Sequence, residues 1–207
     1  MVATKEKINF AVMYATHDAF RRDLGRLERA VTAGRAATPE VRAGWENFKR
    51  QLHVHHTVED AELWPRVQRA VAGRPADLAL MGEMEAEHAK LDPLLVAVDK
   101  AMAVNAPDLP SLVGELSQVL RDHMKHEEES ALPLIQEVLT LKDWGAFRGG
   151  MAKAQGPKGA AVYIPWIMDG VNNQGREEFL AEMPAPVKVI NKLFWESRYQ
   201  KRKLFGA

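Results

Sequence analysis

The sequence of 207 residues predicts an all-α fold: an up-down-up-down antiparallel four-helix bundle followed by a helical C-terminal extension. Three observations predict it. Apolar residues recur at helical spacing over most of the first 143 positions, as in Ile8, Val12, Tyr14, Phe20, Leu24, Leu27 and Val31, with almost no strand-like alternation. Three interruptions, Gly34 to Pro39, Gly73-Arg74-Pro75 and Asn105 to Pro110, supply helix stop and start signals. A segment ending in proline at Pro65 occurs again, in related form, ending at Pro133.

Taken in order, the first helix runs over about 6–33 and stops at Gly34, a residue suited to a C-terminal cap. The second, about 39–72, starts at Thr38 with Pro39 in the first helical position, where the missing N–H has no partner to lose, and stops at Gly73. The third, about 76–104, carries Leu78, Met81, Met84, Leu91, Leu94, Leu95 and Val98. The fourth, about 110–142, follows Asp108. The stretch from Gly145 to Gly159 then holds five glycines and Pro157 and reads as a linker or long loop. Beyond it come a short apolar piece (Ala160 to Asp169), a turn at Asn172 to Gly175, and a helix from Val187 to about Leu204. Residues 1–143 are thus the bundle, and 144–207 a Gly-rich linker and helical extension packing on it.

Apolar residues at 46% and charged residues at 27% are ordinary for a soluble globular chain and exclude disorder, collagen and a coiled-coil rod. Twenty-eight basic residues balance 28 acidic ones, so there is no net field to attract nucleic acid. No cysteine is present, which removes disulfides, thiolate nucleophiles, zinc fingers and iron-sulfur clusters; any metal must be held by His, Asp, Glu or Tyr. Neither a signal peptide nor an apolar membrane span is evident, and the expected compartment is the cytoplasm.

The repeat organises the chemistry. Leu52 to Pro65 aligns with Leu120 to Pro133, placing His55 on His123 and Glu59 on Glu127, and Thr16-His17 aligns with Glu87-His88. Residues four apart on a helix are rotated by only ~40°, so His55 with Glu59 and His123 with Glu127 each present two ligands on one face. Levels in the bundle follow from midpoints. The midpoint of His17 and His55 is position 36, in the first connection; that of His88 and His123 lies at 105–106, in the third; that of position 57 and His88 lies at 72–73, in the second. In antiparallel helices joined by short loops, residues equidistant from the turn sit side by side, so all six share one layer. Four imidazoles and two carboxylates converging in a bundle need compensation, which a metal supplies; iron, manganese or zinc suit this donor set, and two facing carboxylates can bridge a pair of ions.

This constellation, His17, then His55-x-x-x-Glu59 before Leu-Trp-Pro, then Glu87-His88, then His123-x-x-x-Glu127 before Leu-Pro, resembles the hemerythrin-like (HHE cation-binding) family over about residues 10–140. The resemblance implies a non-haem di-iron centre: two iron ions with a bridging oxo or hydroxo group, terminal ligands His17, His55, His88 and His123, and bridges Glu59 and Glu127. It also implies reactivity toward a small oxidant, O2, hydrogen peroxide or nitric oxide. The oxygen-carrying members have a further histidine where this chain has Met84. Of roughly twelve coordination positions on two six-coordinate ions about ten are then filled, which favours reaction over reversible carriage. Peroxide-decomposing, catalase-like turnover or another oxidoreductase activity is one expectation. A module that senses or stores O2, nitric oxide or iron through its C-terminal tail is the alternative. A metal that only ties helices together would leave no open position.

Neighbouring residues have plainer readings. His53, rotated ~200° from His55, is solvated surface, while His56 and His126, ~100° and ~60° away, are helix surface, with a supporting or alternative-ligand role as the second reading. Tyr14, one turn before His17, is a candidate ligand, radical or proton donor, with core packing preferred. Met13, Met81, Met84 and Met124 are core. Pro184 to Ala207 carries six basic residues and one acid. That patch could meet a protein partner, but the preferred reading is that Ile190, Phe194 and Trp195 pack on the bundle while Lys201-Arg202-Lys203 sit at a helix C-terminus.

Overall fold

The computed structural model describes residues 6–206 and is helical almost throughout, with no strand among the described residues. Four rods form the bundle. The first is α1 (Ala11–Thr32) and the third α4 (Pro75–Val104). The second is α2 (Pro39–Val58), prolonged through a π turn (Glu59–Leu63) by α3 (Trp64–Ala70). The fourth is α5 (Leu109–His126), prolonged through a π turn (Glu127–Ala131) by α6 (Leu132–Val138). Both π turns run straight into a proline, Pro65 or Pro133, which has no N–H for the carbonyl four residues back and crowds it; widening the turn there relieves the conflict. The widened turns begin at Glu59 and Glu127, the acids singled out by the repeat.

Two apolar cores fill the bundle, and one polar layer separates them. Phe20, Leu52, Leu91 and Leu120 belong to the first core, and Met13, Leu63, Met84 and Ala131 to the second. On each rod the residue between these markers is His17, His55 with Glu59, His88, or His123 with Glu127. The four methionines read as core, Met13, Met81, Met84 and Met124, are all buried.

The glycine-rich stretch is not a loop. Residues Leu141–Met168 form α7, opened by a capping box in which Thr140 Oγ1 accepts from the Asp143 amide and Asp143 accepts from the Thr140 amide, both at 3.1 Å. Each glycine weakens a helix by ~1 kcal/mol, but buried Trp144 and Phe147 hold this one on the second core. Absence of a side chain lets it approach closely: a Cβ on Gly150 would stand 3.2 Å from Glu62 Cγ. The one break is at Gly156, with φ 59° and ψ 176°, before Pro157. Asn172 to Gly175 is likewise a helix start and not a turn, since the Asn172 side chain accepts from the Gly175 amide at 2.9 Å and caps α8 (Asn173–Ala181).

The chain ends in α9 (Ala185–Ile190), a π turn (Asn191–Trp195) and α10 (Glu196–Gln200). This rod turns Asn191, Trp195 and Tyr199, four residues apart, toward the bundle, which leaves the adjacent stripe with Ile190 and Phe194 exposed, contrary to expectation. Phe205 closes the extension by lying on Gly44, where a Cβ would be 2.5 Å from its ring. No described helix is long and apolar enough to cross a membrane.

Candidate metal centre

All six residues picked from the repeat are buried, and the structure brings them into one layer. His17 Nε2 faces His55 Nε2 at 3.3 Å, and His88 Nε2 faces His123 Nε2 at 3.1 Å. Glu127 Oε2 lies 3.2 Å from His17 Nε2. Glu59 stands between the two histidine pairs, with Oε1 3.2 Å from His55 Nε2 and Oε2 3.7 Å from His88 Nε2. Two groups have donor atoms close enough to share an ion: His17, His55 and Glu127, and His56, His88 and His123.

Facing Nε2 atoms at these distances fit the donor set of a metal. Two nitrogens at ~2.1 Å from one ion and roughly at right angles lie ~3 Å apart, as these do. The carboxylates agree: both residues are fully buried, neither oxygen of Glu59 has a hydrogen-bond partner, and Glu127 faces His17 Nε2. Such groups are costly to leave without compensation.

A collar of acids fixes the imidazoles. His17 Nδ1 is 2.7 Å from Glu128, His88 Nδ1 is 2.8 Å from Asp60, and His123 Nδ1 is 2.9 Å from Glu87. A carboxylate at Nδ1 keeps the proton there and turns the Nε2 lone pair inward. Arg21 in turn holds Glu128 at 2.9 Å, and His126 shares Glu87 at 2.9 Å. The collar obeys the repeat, since Asp60 aligns with Glu128. Sequence reasoning passed over it, though the alignment contained it. It fails at one place: where the second half has Glu87 the first has Thr16, whose hydroxyl turns to Val12 O and to Tyr163, and His55 Nδ1 is left without a partner.

The acids also set the charges. Burial opposes a cation at His17, but Glu127 and Glu128 outweigh it and raise its pKa to about 9. Burial, reinforced by His17, pushes His55 well below the usual histidine range. Burial, then Glu127, pushes Glu59 well above the usual carboxylate range. Glu127 is held down at about 2 by His17 against the effect of burial.

Among the remaining candidates, His53 is exposed as expected. Tyr14 is a correction: it is 43% exposed and points away from the layer, because it lies three residues before His17 whereas Met13, four before, takes the inward face. The tyrosine near the centre is Tyr163 of α7, half-buried, 2.7 Å from Thr16 Oγ1, with its pKa raised to about 12 mainly by burial of its hydroxyl. His56 is closer than its rotation suggested; half-buried, it stacks on His88 at 3.9 Å between ring centroids.

Glu128→Gln replaces the acid on His17 with an amide that holds the ring less firmly. Metal affinity is expected to fall ~10–100-fold, whereas His53→Ala leaves it unchanged; competition titration against a chromophoric chelator checks both.

A family model described as the hemerythrin HHE cation binding domain matches residues 9–135. Comparisons with curated proteins and with solved structures returned no match.

Proposed function

The chain belongs to the hemerythrin family of HHE cation-binding domains, and on that premise we propose that it is a di-iron protein that binds or turns over a small oxidant, O2, hydrogen peroxide or nitric oxide. His17, His55, His88 and His123 are the terminal ligands and Glu59 and Glu127 the bridges. The observation that carries this reading is the position of Glu59, whose two oxygens face opposite histidine pairs. Bound iron would supply an exchangeable electron pair and open coordination positions for the oxidant. The chain's own residues do the rest. Asp60, Glu87 and Glu128 keep protons on Nδ1 of three imidazoles, and apolar cores pack above and below the layer.

The second reading is a sensor or store of O2, nitric oxide or iron that reports through the extension to a partner. One contact favours it: the Phe20 ring lies 5.5 Å from His55 and 5.1 Å from Trp166 of α7, so a change at His55 reaches the extension through a single side chain.

Anaerobic reconstitution with Fe(II), then visible spectra on adding O2, peroxide or nitric oxide, tests the proposal and separates turnover from lasting binding. Two irons per chain are expected; one or none, with unchanged helicity, overturns the dinuclear centre. Uptake must displace the His17 proton, held up to about pH 9, and that of Glu59. Apparent affinity therefore rises from pH 6 toward 9, and a flat profile in buffered competition titrations contradicts the assignment.

A further inference from the structure

Between α2 and α4 a pocket of about 310 Å³ reaches in from the surface, and His56 and His88 form part of its wall. His88 is the least buried of the six candidate ligands, at 7%. Exposed Asp60, Glu85 and Asp92 line the pocket together with His53, and no lysine or arginine does. An ion with its six waters fits, since a water takes up ~30 Å³. A cleft walled by acids draws cations inward. The cavity of about 350 Å³ beside His55 has mainly apolar walls, against which a hydrated ion gains nothing.

The two halves of the repeat differ at this place. Asp60 and Glu128 are equivalent acids, on Nδ1 of His88 and of His17. Arg21 covers Glu128, whose side chain is 18% exposed; that of Asp60 is 45% exposed and, among the described residues, pairs with no lysine or arginine. His56 is equivalent to Met124, which is buried in the first core, so the repeat does not call for an imidazole there. Yet one ring nitrogen from each of His56, His88 and His123 lies within 4.8 Å of the other two. The His56 and His88 rings stack at 3.9 Å with 14° between their planes. An imidazole holds a metal in its own plane, so two parallel rings at this spacing do not hold the same ion. To bind, the half-buried His56 ring has to leave the stack, a rotamer change open to a side chain at the surface.

We propose that this pocket is the port through which a hydrated divalent metal ion enters the centre, and that His56 takes the ion first and passes it to His88 and His123. The acids collect the cation at the surface. His56 swings out of its stack and replaces one water, and the facing Nε2 atoms of His88 and His123, 3.1 Å apart, then capture the ion as His56 returns. A ligand used only in transit lowers the barrier in both directions, so it speeds entry and exit alike and leaves the equilibrium unchanged. The port rests on the metal centre proposed above and adds the way into it.

The test is stopped-flow mixing of the metal-free full chain with Co2+, read by quenching of tryptophan fluorescence, Trp64 lying 6.3 Å from the His88 ring; release is read on mixing the loaded chain with EDTA. His56→Phe keeps a ring on His88 but has no ligand nitrogen. It is expected to slow uptake and release alike by about tenfold, ~1.4 kcal/mol on the barrier, with the amount of Co2+ bound and its affinity unchanged. Asp92→Lys, an exposed change on the pocket wall, should slow uptake about tenfold at low salt and much less at 1 M salt, and it keeps the test should His56→Phe fail to fold. Glu177→Lys, exposed on α8, leaves the rates as they are. Faster release with weaker affinity in His56→Phe would make His56 a resident ligand, and that result overturns the proposal. Two Co2+ per chain entering at unchanged rates in both variants sinks the port alone. One per chain, with the rates as expected, sinks the dinuclear reading alone, and no uptake at all removes centre and port together.

Discussion

Glu59→Gln is expected to hold at most one metal ion per chain while its metal-free fold stays within about 1 kcal/mol of the parent. Burial and the neighbouring Glu127 push Glu59 well above the usual carboxylate range, so the metal-free protein favours its neutral form. An amide of the same shape replaces it without removing a charge or creating a hole. An amide cannot bridge two cations through two anionic oxygens, and the His55 and His88 sides lose their common ligand. Glu127→Gln should behave differently. It faces the protonated His17 at 3.2 Å, and taking away one member of a fully buried pair costs about 3 kcal/mol or more. Metal analysis and thermal unfolding of the metal-free variants check both halves. Two ions retained in Glu59→Gln would mean that it does not bridge. Equal destabilisation by the two changes would mean that the charges are not arranged as described.

The layer was legible in the sequence because it depends only on chain length between turns: equidistance from a connection fixes height in an antiparallel bundle, whatever the side chains do. Rotation about a helix was legible to about one step. Four-residue spacing correctly paired His55 with Glu59, and the three-residue spacing of Tyr14 from His17 was too coarse to keep it on the same face. His56 lies inward of its ideal rotation because His88 on the facing helix offers a ring to stack on, a fact of packing that no single helix contains. The helical state of 141–168 was hidden by its glycines, since local propensity argues against a helix there and only the burial of Trp144 and Phe147 outweighs it. The same limit hid Tyr163. Its part near the centre depends on α7 folding back, and a stretch read as linker has no face to assign.

Trp166→Ala is expected to lower stability by about 4 kcal/mol, or roughly 8–16 °C in midpoint for a chain of this size, without loss of metal. The indole is fully buried, packs on Phe20 at 5.1 Å and Tyr163 at 5.9 Å, and donates its N–H to Asp23 Oδ2 at 2.7 Å. Truncation opens a large hole in the first core and strips a buried carboxylate of a donor. Trp166→Phe keeps most of the volume and should cost about 1–3 kcal/mol, mainly for the lost hydrogen bond. The extension itself should stay docked, because a second latch does not use the indole: Arg22 donates to the carbonyls of Trp166 and Asp169, both at 2.8 Å, and Arg26 and Tyr199 hold the Asp169 carboxylate. All six candidate ligands lie on the bundle rods and none on α7, so metal content measured below the unfolding transition should be that of the parent. Metal lost at a temperature where the variant is still folded would reverse this reading. It would mean that Trp166 acts through Phe20 to keep His55 turned toward the ion, and that the extension is part of the centre and not only its cover.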